Sequence, residues 1–380
     1  MKEQWPPMET AIIQTVEANQ DQMLKTIKKI TSIRSDHQPE VPGAPFGVGI
    51  NEALEATLAE AEGLGFKTKN LSGYFGYASY GTGDSYVGVM GHLDTVPAGE
   101  GWRSDPFTCV EREGRLYARG ILDNKGPILT CLYALYALKQ LHWQPKREIR
   151  ILFGTAEEIG FQDIPHYLAV EEPPKLGFTP DCKYPVVYAE RGRLVVQIAC
   201  QTDEQLLELL NQYILNTQGL GETLNLRYHD EEFGDLETRN YQIKRENGEY
   251  HLTFAISYPA RLTAQDLIER VKQALPTSYT VTSCSNWDPV YFDKESLVIQ
   301  TLSEVYGKLT GLPSQPVTTT GGTYAKVMPN IFPFGPSFPG QKGISHHPDE
   351  WMAIDDLMMN AKIYALALYH LGNFMEEDEE

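Results

Sequence analysis

The stretch that decides the fold is Tyr86-Val87-Gly88-Val89-Met90-Gly91-His92-Leu93-Asp94. Its apolar first part predicts a buried strand, which delivers a histidine and a carboxylate two positions apart. Because residues i and i+2 of a strand point to one face, His92 and Asp94 can converge there. We interpret His92 as a metal ligand and Asp94 as the carboxylate that fixes its tautomer. The alternative is a strand end whose polar residues merely meet solvent.

The composition indicates a folded protein with two domains. With 380 residues, 42% of them apolar, the chain exceeds the size at which one hydrophobic core usually stops growing. Its formal net charge of −19 argues against nucleic acid or an anionic membrane as the main partner, since both favour basic patches. The five cysteines are scattered without a CxxC pair, which fits reduced thiols. Since the sequence shows neither a signal peptide nor a membrane-spanning stretch, we expect a cytoplasmic protein.

Helical and strand patterns alternate in the first half of the chain. The predicted helices are 9–33, 51–63 and 128–141, and the predicted strands are 86–92, 115–117 and 148–153. Such alternation is typical of a mostly parallel α/β sheet. In these sheets, functional groups gather beyond the carboxyl ends of the strands. We therefore expect an α/β catalytic domain with its site at that edge.

The middle of the chain has a different pattern. Strands at 194–200, 224–228, 250–258 and 279–283 combine with helices at 204–214 and 264–274. This β-α-β-β-α-β order predicts a ferredoxin-like α+β domain. We place this inserted lid domain at 191–290 and the catalytic domain at 1–190 and 291–380. The acidic run 375–380 is expected to be a frayed tail.

Several potential metal-binding elements lie at predicted strand ends or in loops. They are His92 with Asp94, then Asp123, the pair Glu157-Glu158, Asp181 and His346. Two imidazoles and several carboxylates suit Zn²⁺, or Mn²⁺ and Co²⁺ under other conditions. Taken singly, each element is weak evidence for metal binding. An Asp before Asn-Lys-Gly is usually a helix cap, and a Glu pair after a strand is usually a solvated helix start.

The motifs around these residues are Gly91-His92-Leu93-Asp94-Thr95-Val96-Pro97, Arg119-Gly120-x-x-Asp123-Asn124-Lys125-Gly126, Gly154-Thr155-Ala156-Glu157-Glu158 and the late His346. Together and in this order they resemble the M20 family of co-catalytic zinc peptidases and deacylases. Residues 98–102, 180–185 and 321–325 look like the dipeptidase V branch, the carnosinase-like Xaa-His dipeptidases. The resemblance covers nearly all of residues 10–190 and 288–372.

The resemblance implies a site for two zinc ions. His92, Asp123 and Asp181 would surround one ion, and Asp123, Glu158 and His346 would surround the other. Asp123 would then bridge the two. Two dications roughly 3.5 to 4 Å apart lower the pKa of a shared water molecule, so that hydroxide becomes available near neutral pH.

The resemblance also implies the roles of residues beside the ligands. Asp94 would orient His92, and Glu157 would act as the general base. The peptide bond between Asp123 and Asn124 would be in the cis form. Since two adjacent glutamates cannot easily bind one ion, the second carboxylate stays free to take a proton from water and pass it to the leaving amine.

The lid region departs from the family. The family's lid usually carries a substrate-facing histidine in a small-residue/His/Gly motif, which residues 191–288 lack, and His229 is the nearest candidate to replace it. The related dipeptidases have a carboxylate-binding arginine where Ser257 stands. Arg261 and Arg227 are the candidates to substitute for it. The lid is therefore expected to be a shortened version.

The leading expectation is hydrolysis of a dipeptide, with Gly321 and Gly322 lending backbone groups to the carboxylate end of the substrate. One alternative is an N-acyl amino acid deacylase or desuccinylase of the same family. Another is a metal-stabilised binding protein without catalysis, since the lid histidine and the arginine are missing. A homodimer formed through the lid is the expected oligomer.

Overall fold

The structure, a computed structural model, describes residues 5–215 and 217–374. The chain forms two compact units. Unit 1 comprises Met1–Val187, Lys294–Pro316 and Thr323–Glu380, and unit 2 comprises Tyr188–Asp293 and Val317–Gly322. Gly321 and Gly322 therefore belong to unit 2. The acidic run 375–380 lies outside the described residues.

The α-helices are α1 Pro7–Ala18, α2 Gln20–Thr31, α3 Val48–Gly63, α4 Lys125–Gln140, α5 Ile164–Leu168, α6 Asp203–Leu209, α7 Ala264–Ala274, α8 Leu297–Thr310 and α9 Ile354–Leu371. The strands are β1 Lys67–Asn70, β2 Phe75–Tyr80, β3 Tyr86–His92, β4 Val110–Arg112, β5 Arg115–Tyr117, β6 Glu148–Gly154, β7 Leu176–Thr179, β8 Cys182–Lys183, β9 Val187–Glu190, β10 Gly192–Cys200, β11 His229–Asp230, β12 Gly234–Asp235, β13 Glu237–Glu246, β14 Glu249–Tyr258, β15 Thr280–Trp287, β16 Val290–Tyr291, β17 Val317–Thr319, β18 Ile331–Pro333, β19 Pro336–Ser337 and β20 Trp351–Ala353. Within the part of the chain that the structure describes, no helix is both long and apolar enough to cross a membrane.

The central sheet of unit 1 has the strand order β1-β2-β6-β3-β7-β18. Strands β6, β3, β7 and β18 are parallel, whereas β1 and β2 form an antiparallel edge. Every residue of β3 is buried, and helix α4 packs against β3 and β6. Burial on both faces accounts for the continuous apolar run of β3. The α/β class expected from the sequence is confirmed.

The first helical segment is broken where the sequence predicts one helix over 9–33. Helix α1 ends at Ala18 and α2 begins at Gln20, with Asn19 between them. The backbone of Asn19 has φ −90° and ψ 2°, and its side-chain amide donates a hydrogen bond to Gln140 Oε1 at 2.7 Å. This bond joins residues far apart in the chain, so the break in the helix could not be predicted from local sequence periodicity.

Unit 2 is built on an antiparallel sheet with the order β13-β14-β10-β15. Together with α6 and α7, these strands follow the ferredoxin-like β-α-β-β-α-β order. Leu194, Val196 and Ile198 of β10 share one apolar core with Leu267 and Val271 of α7. The helices therefore cover one face of this sheet, and the alternate residues of each strand point to the other face.

One strand of unit 2 lies later than the sequence predicts. In place of a strand at 224–228, a 3₁₀ turn covers Glu222–Leu224, and the second strand of the pattern is β13. Gly221 and Asn225 flank this turn with φ values of 62° and 59°. The left-handed backbone of Asn225 interrupts the extended conformation that the predicted strand would need.

Candidate metal centre

The metal-ligand candidates of unit 1 meet at the carboxyl ends of its parallel strands. His92 is the last residue of β3, Glu157 and Glu158 follow β6, and Asp181 follows β7. Asp123 lies just before α4, the helix that packs on these strands. Because β6, β3 and β7 are neighbours in the sheet, their ends lie side by side.

One ligand group consists of His92, Asp123 and Asp181. The His92 Nε2 atom lies 3.0 Å from Asp123 Oδ1 and 3.6 Å from Asp181 Oδ2. One donor atom from each of the three residues lies within 4.8 Å of the others, and the imidazole is fully buried. This spacing is compatible with a single ion between them.

A second ligand group consists of Asp123, Glu158 and His346. The His346 Nε2 atom lies 3.0 Å from Asp123 Oδ2 and 3.0 Å from Glu158 Oε1. The His346 side chain is 52% exposed, so this side of the site is open to solvent. His92, Glu157 and Glu158 form a further group with donor atoms in the same range.

Asp94 connects the end of β3 to the loop after β6. Its carboxylate accepts hydrogen bonds from the backbone N–H groups of Glu157 at 3.2 Å and Glu158 at 3.0 Å. Its Oδ1 lies 3.3 Å from His92 Nδ1, which is also 2.9 Å from the backbone carbonyl of Asp94. Two acceptors at Nδ1 favour the tautomer with its proton there, which leaves Nε2 as the donor to a metal.

The carboxylates at this site repel one another. In the metal-free chain, burial and the nearby Asp123 raise the pKa of Asp181 to about 7. Burial raises the pKa of Glu158 and, more strongly, that of Glu157, and neighbouring carboxylates add to both shifts. Divalent cations would relieve this repulsion, and imidazole and carboxylate donors suit such ions. The donor set therefore fits divalent metal.

Asn124 joins three loops of the site, a role that the sequence analysis did not assign to it. Its Oδ1 accepts a hydrogen bond from the backbone N–H of His92 at 3.2 Å, and its amide donates to the Pro180 carbonyl at 2.6 Å. The peptide bond between Asp123 and Asn124 is cis, as the family resemblance implies. A Cβ at Gly91 would lie 2.2 Å from Asn124 Oδ1, so this approach requires glycine.

Glu350 holds the loop that carries Asp123. Its carboxylate accepts hydrogen bonds from the backbone N–H groups of Gly120, Leu122 and Asp123 at 3.2, 2.8 and 3.1 Å, and pairs with Arg119 at 2.6 Å. Burial and the charge of Asp123 raise the pKa of Glu350 to about 7, while Arg119 and the backbone donors oppose that shift. The sequence showed this glutamate only as a neighbour of His346.

Asp163 anchors the start of the loop after β6, which carries Glu157 and Glu158. Its Oδ2 accepts hydrogen bonds from the backbone N–H groups of Thr155 at 2.7 Å and Ala156 at 3.2 Å, and from the Tyr324 hydroxyl at 2.6 Å. Burial is the main cause that raises the pKa of Asp163 to about 6. Nothing in the local sequence distinguishes this residue from a surface aspartate, so the sequence analysis missed it.

The substrate-binding candidates His229, Gly321 and Gly322 all belong to unit 2. His229 is exposed, and its Nδ1 lies 2.9 Å from Asp235 Oδ1. Gly321 and Gly322 are exposed residues just after β17. Their roles in substrate binding stay predictions.

The two arginines suggested as replacements at Ser257 lie outside the strands that pair with it. Ser257 is on β14, whose neighbours are β10 and β13. Arg261 follows β14, and its Nε lies 3.7 Å from Asp230 Oδ2. Arg227 is an exposed residue before β11.

The fold and the clustered histidine and carboxylate donors define a metal-dependent hydrolase, and comparison with known proteins gives its family. The model of peptidase family M20/M25/M40 matches residues 88–370. The chain therefore belongs to this family, and the resemblance found in its motifs is confirmed. Membership implies the use of divalent metal.

The chain is similar to several dipeptidases along most of its length. It is 27% identical to the Beta-Ala-Xaa dipeptidase of Lactobacillus delbrueckii subsp. lactis, over 96% of this chain and 98% of that protein. That alignment runs over 464 positions, against 380 residues here, so the relative contains segments that this chain lacks.

Solved structures show the same fold at low sequence identity. The crystal structure of human carnosine dipeptidase 1 matches with a TM-score of 0.74 and 15% identity, covering 97% of this chain and 99% of that chain. The dipeptidase Dug1p of Saccharomyces cerevisiae matches with a TM-score of 0.72 and 13% identity, covering 96% and 98%.

Proposed function

We propose that this protein is a dipeptidase that binds two Zn²⁺ ions and hydrolyses the amide bond of its substrate with Glu157 as the general base. His92, Asp123 and Asp181 would hold one ion. Asp123, Glu158 and His346 would hold the other. Mn²⁺ or Co²⁺ could occupy the same donors, since both accept imidazole and carboxylate oxygen.

The position of Asp123 is the observation that carries this proposal. Its two carboxylate oxygens each lie 3.0 Å from a different imidazole, Oδ1 from His92 Nε2 and Oδ2 from His346 Nε2. Separate donor groups that share one carboxylate are the arrangement expected of a bridged pair of ions. When bound, such ions would supply Lewis acidity, which polarises a carbonyl and lowers the pKa of water.

Glu157 is the carboxylate that we assign to proton transfer. Its neighbour Glu158 lies against His346, and both backbone N–H groups are fixed by Asp94. Glu157 lies within reach of His92 and Glu158 but outside the two groups that share Asp123. It would take a proton from the attacking water and deliver it to the leaving nitrogen.

The substrate class is supported by the relatives. The Lactobacillus protein is named for dipeptides that begin with β-alanine, and it shares 27% identity with this chain. We therefore propose dipeptides as substrates. N-acyl amino acids contain the same kind of amide bond, so deacylation or desuccinylation is the alternative that the experiment must separate.

The test is metal analysis combined with a substrate panel. The purified protein is loaded with Zn²⁺, Mn²⁺ or Co²⁺, freed of excess ion, and assayed on dipeptides, including β-alanyl dipeptides, and on N-acyl amino acids. We expect two equivalents of metal and turnover of dipeptides. Absence of bound metal and of turnover would refute the proposal. Turnover of N-acyl amino acids alone would make the protein a deacylase, and tight binding without turnover would favour a binding protein.

The proposal also includes substrate-binding roles for three residues, an oligomeric state and a location. His229 would stabilise the oxyanion, and Gly321 and Gly322 would bind the carboxylate end of the substrate through backbone groups. A homodimer formed through unit 2 and a cytoplasmic location complete the set. Light scattering measures the mass in solution, and a monomeric mass at micromolar concentration would exclude the dimer.

A further inference from the structure

The loop after β6 has four consecutive backbone N–H groups that donate to two buried carboxylates. The donors are the N–H groups of residues 155–158. The first two donate to Asp163, and the last two donate to Asp94. Both side chains are buried. Because a buried N–H group without an acceptor costs free energy, these two carboxylates fix the path of the chain through Glu157.

Tyr324 provides a third donor to Asp163. Its side chain is fully buried, and its hydroxyl donates to Asp163 Oδ2 at 2.6 Å, the same oxygen that accepts from the loop. Asp163 Oδ1 has no hydrogen-bond partner within the described residues, so the three donors share one oxygen. A Cβ at Gly154 would overlap the Tyr324 hydroxyl, so this close approach requires glycine. Loss of the hydroxyl would remove one of the three bonds that hold the Asp163 carboxylate in place.

The ring of Tyr324 packs near both the loop and the end of β3. Its centroid lies 5.7 Å from that of Phe161, toward the far end of the loop, and 6.4 Å from that of His92. Burial raises the pKa of Tyr324 well above its ordinary value, and nearby carboxylates, with Glu157 among them, add to that rise. The hydroxyl therefore lies within electrostatic reach of Glu157 although it is bonded to Asp163.

Tyr324 is itself held by contacts that do not involve Asp163. It begins the 3₁₀ turn Tyr324–Lys326, and its carbonyl accepts a hydrogen bond from the backbone N–H of Met328 at 2.8 Å. The ring shares an apolar core with Met90 of β3 and Leu152 of β6. The hydroxyl is thus a fixed point against which the Asp163 carboxylate is oriented.

We propose that Tyr324 is a positioning residue that acts through Asp163 to hold the loop after β6, and with it the carboxylate of Glu157. The inference rests on the proposed function in one respect, the role of Glu157 as general base. Displacing a reacting group by about 1 Å can lower a rate by about 10²-fold. If Tyr324 served only the apolar core, phenylalanine would replace it without loss.

The substitutions separate the hydroxyl from the ring. Tyr324→Phe removes the hydroxyl and keeps the ring, and Asp163→Ala removes the acceptor. Asp163→Asn keeps one acceptor oxygen and so tests rescue by a conservative change. The double variant of Tyr324→Phe with Asp163→Ala tests whether the two residues act in series. The matched control is Tyr86→Phe, which removes a buried hydroxyl 2.7 Å from that of Tyr167, at the other end of β3.

Two measurements are made on each full-length, metal-loaded protein. Amide hydrogen exchange reports how firmly the N–H groups of 155–158 are bonded, and it requires no hydrolysis. Steady-state kinetics on a dipeptide that the wild type hydrolyses give kcat and KM separately. Elemental analysis of the same samples establishes whether the metal content is unchanged.

We expect Tyr324→Phe to exchange the N–H groups of 155–158 about fivefold faster or more, and to lower kcat about tenfold or more with KM within about threefold of the wild type. Asp163→Ala should act in the same direction, Asp163→Asn should keep kcat within about threefold of the wild type, and the double variant should lie within about threefold of Asp163→Ala. Tyr86→Phe should match the wild type within about twofold in both measurements.

Wild-type exchange in Tyr324→Phe, an unchanged kcat, a change in KM alone, or an equal effect of Tyr86→Phe would each overturn the proposal. If the wild type hydrolyses no dipeptide, the proposed function fails, and the exchange rates still decide whether Tyr324 holds the loop.

Discussion

Arg119 and Glu350 form an ion pair of 2.6 Å inside unit 1, with side chains 2% and 0% exposed. Three backbone N–H groups of the loop that ends at Asp123 also donate to Glu350. The pair therefore links the segment after His346 to the loop that ends at Asp123, a ligand candidate of the metal centre. Because both side chains are buried away from water, each charge is stabilised by the other.

Replacing Glu350 with alanine should strongly destabilise the protein. The change leaves Arg119 buried without its partner and three N–H groups without an acceptor, and loss of one partner of a buried pair costs about 3 to 5 kcal/mol. Urea unfolding measures the free energy of unfolding. The control is Glu111→Ala, which removes an exposed pair with Lys28 and should cost less than about 1 kcal/mol. A similar cost for both variants would contradict this account.

Replacing Asp94 with asparagine should weaken metal binding or turnover by about 10- to 100-fold. An asparagine offers one acceptor where the carboxylate accepts from the N–H groups of both Glu157 and Glu158. Its amide would also place a second donor against His92 Nδ1, which disfavours the tautomer that binds metal. Competition with a metal indicator gives the affinity, and steady-state kinetics give kcat. Values equal to wild type in both measurements would exclude an orienting role.

Glu157→Gln and Glu158→Gln should separate proton transfer from metal binding. Glutamine at 157 cannot accept a proton, so turnover should fall by 10²-fold or more while the metal content stays at the wild-type level. Glutamine at 158 removes a charged donor beside His346, so the metal content should fall. Elemental analysis and dipeptide turnover are measured on the same samples. Loss of metal from the 157 variant would show that Glu157 is a ligand.

Asp163→Asn should change how stability depends on pH. Burial raises the folded-state pKa of Asp163 to about 6, above its ordinary value of 3.8, so the group favours folding most below about pH 4. That contribution is lost as pH rises through about 6, and the full loss is roughly 3 kcal/mol. An asparagine keeps one acceptor oxygen and does not ionise. The variant should therefore gain about 1 to 2 kcal/mol relative to wild type between pH 5 and pH 8.

Urea unfolding of both proteins across this range measures the difference, in which groups common to both cancel. Asp84→Asn, at an exposed position, serves as the control and should show no such trend. A constant difference between wild type and Asp163→Asn from pH 5 to pH 8 would contradict the assignment.

The sequence alone predicts much of the α/β unit and the candidate ligands. The apolar run before His92 identified β3, and the order of the histidine, aspartate and glutamate motifs identified the family before any distance was known. Local patterns succeed here because strand burial and ligand type depend on residues close together in the chain. The same patterns misplaced the second strand of unit 2, since left-handed residues such as Asn225 give no periodic signal.

Only the tertiary structure decided which of these residues meet. His346 contacts Glu158 across a separation of 188 residues, and Glu350 pairs with Arg119 across 231. Such contacts arise from the packing of whole elements, so a short window of sequence contains the chemical groups but not the distances between them.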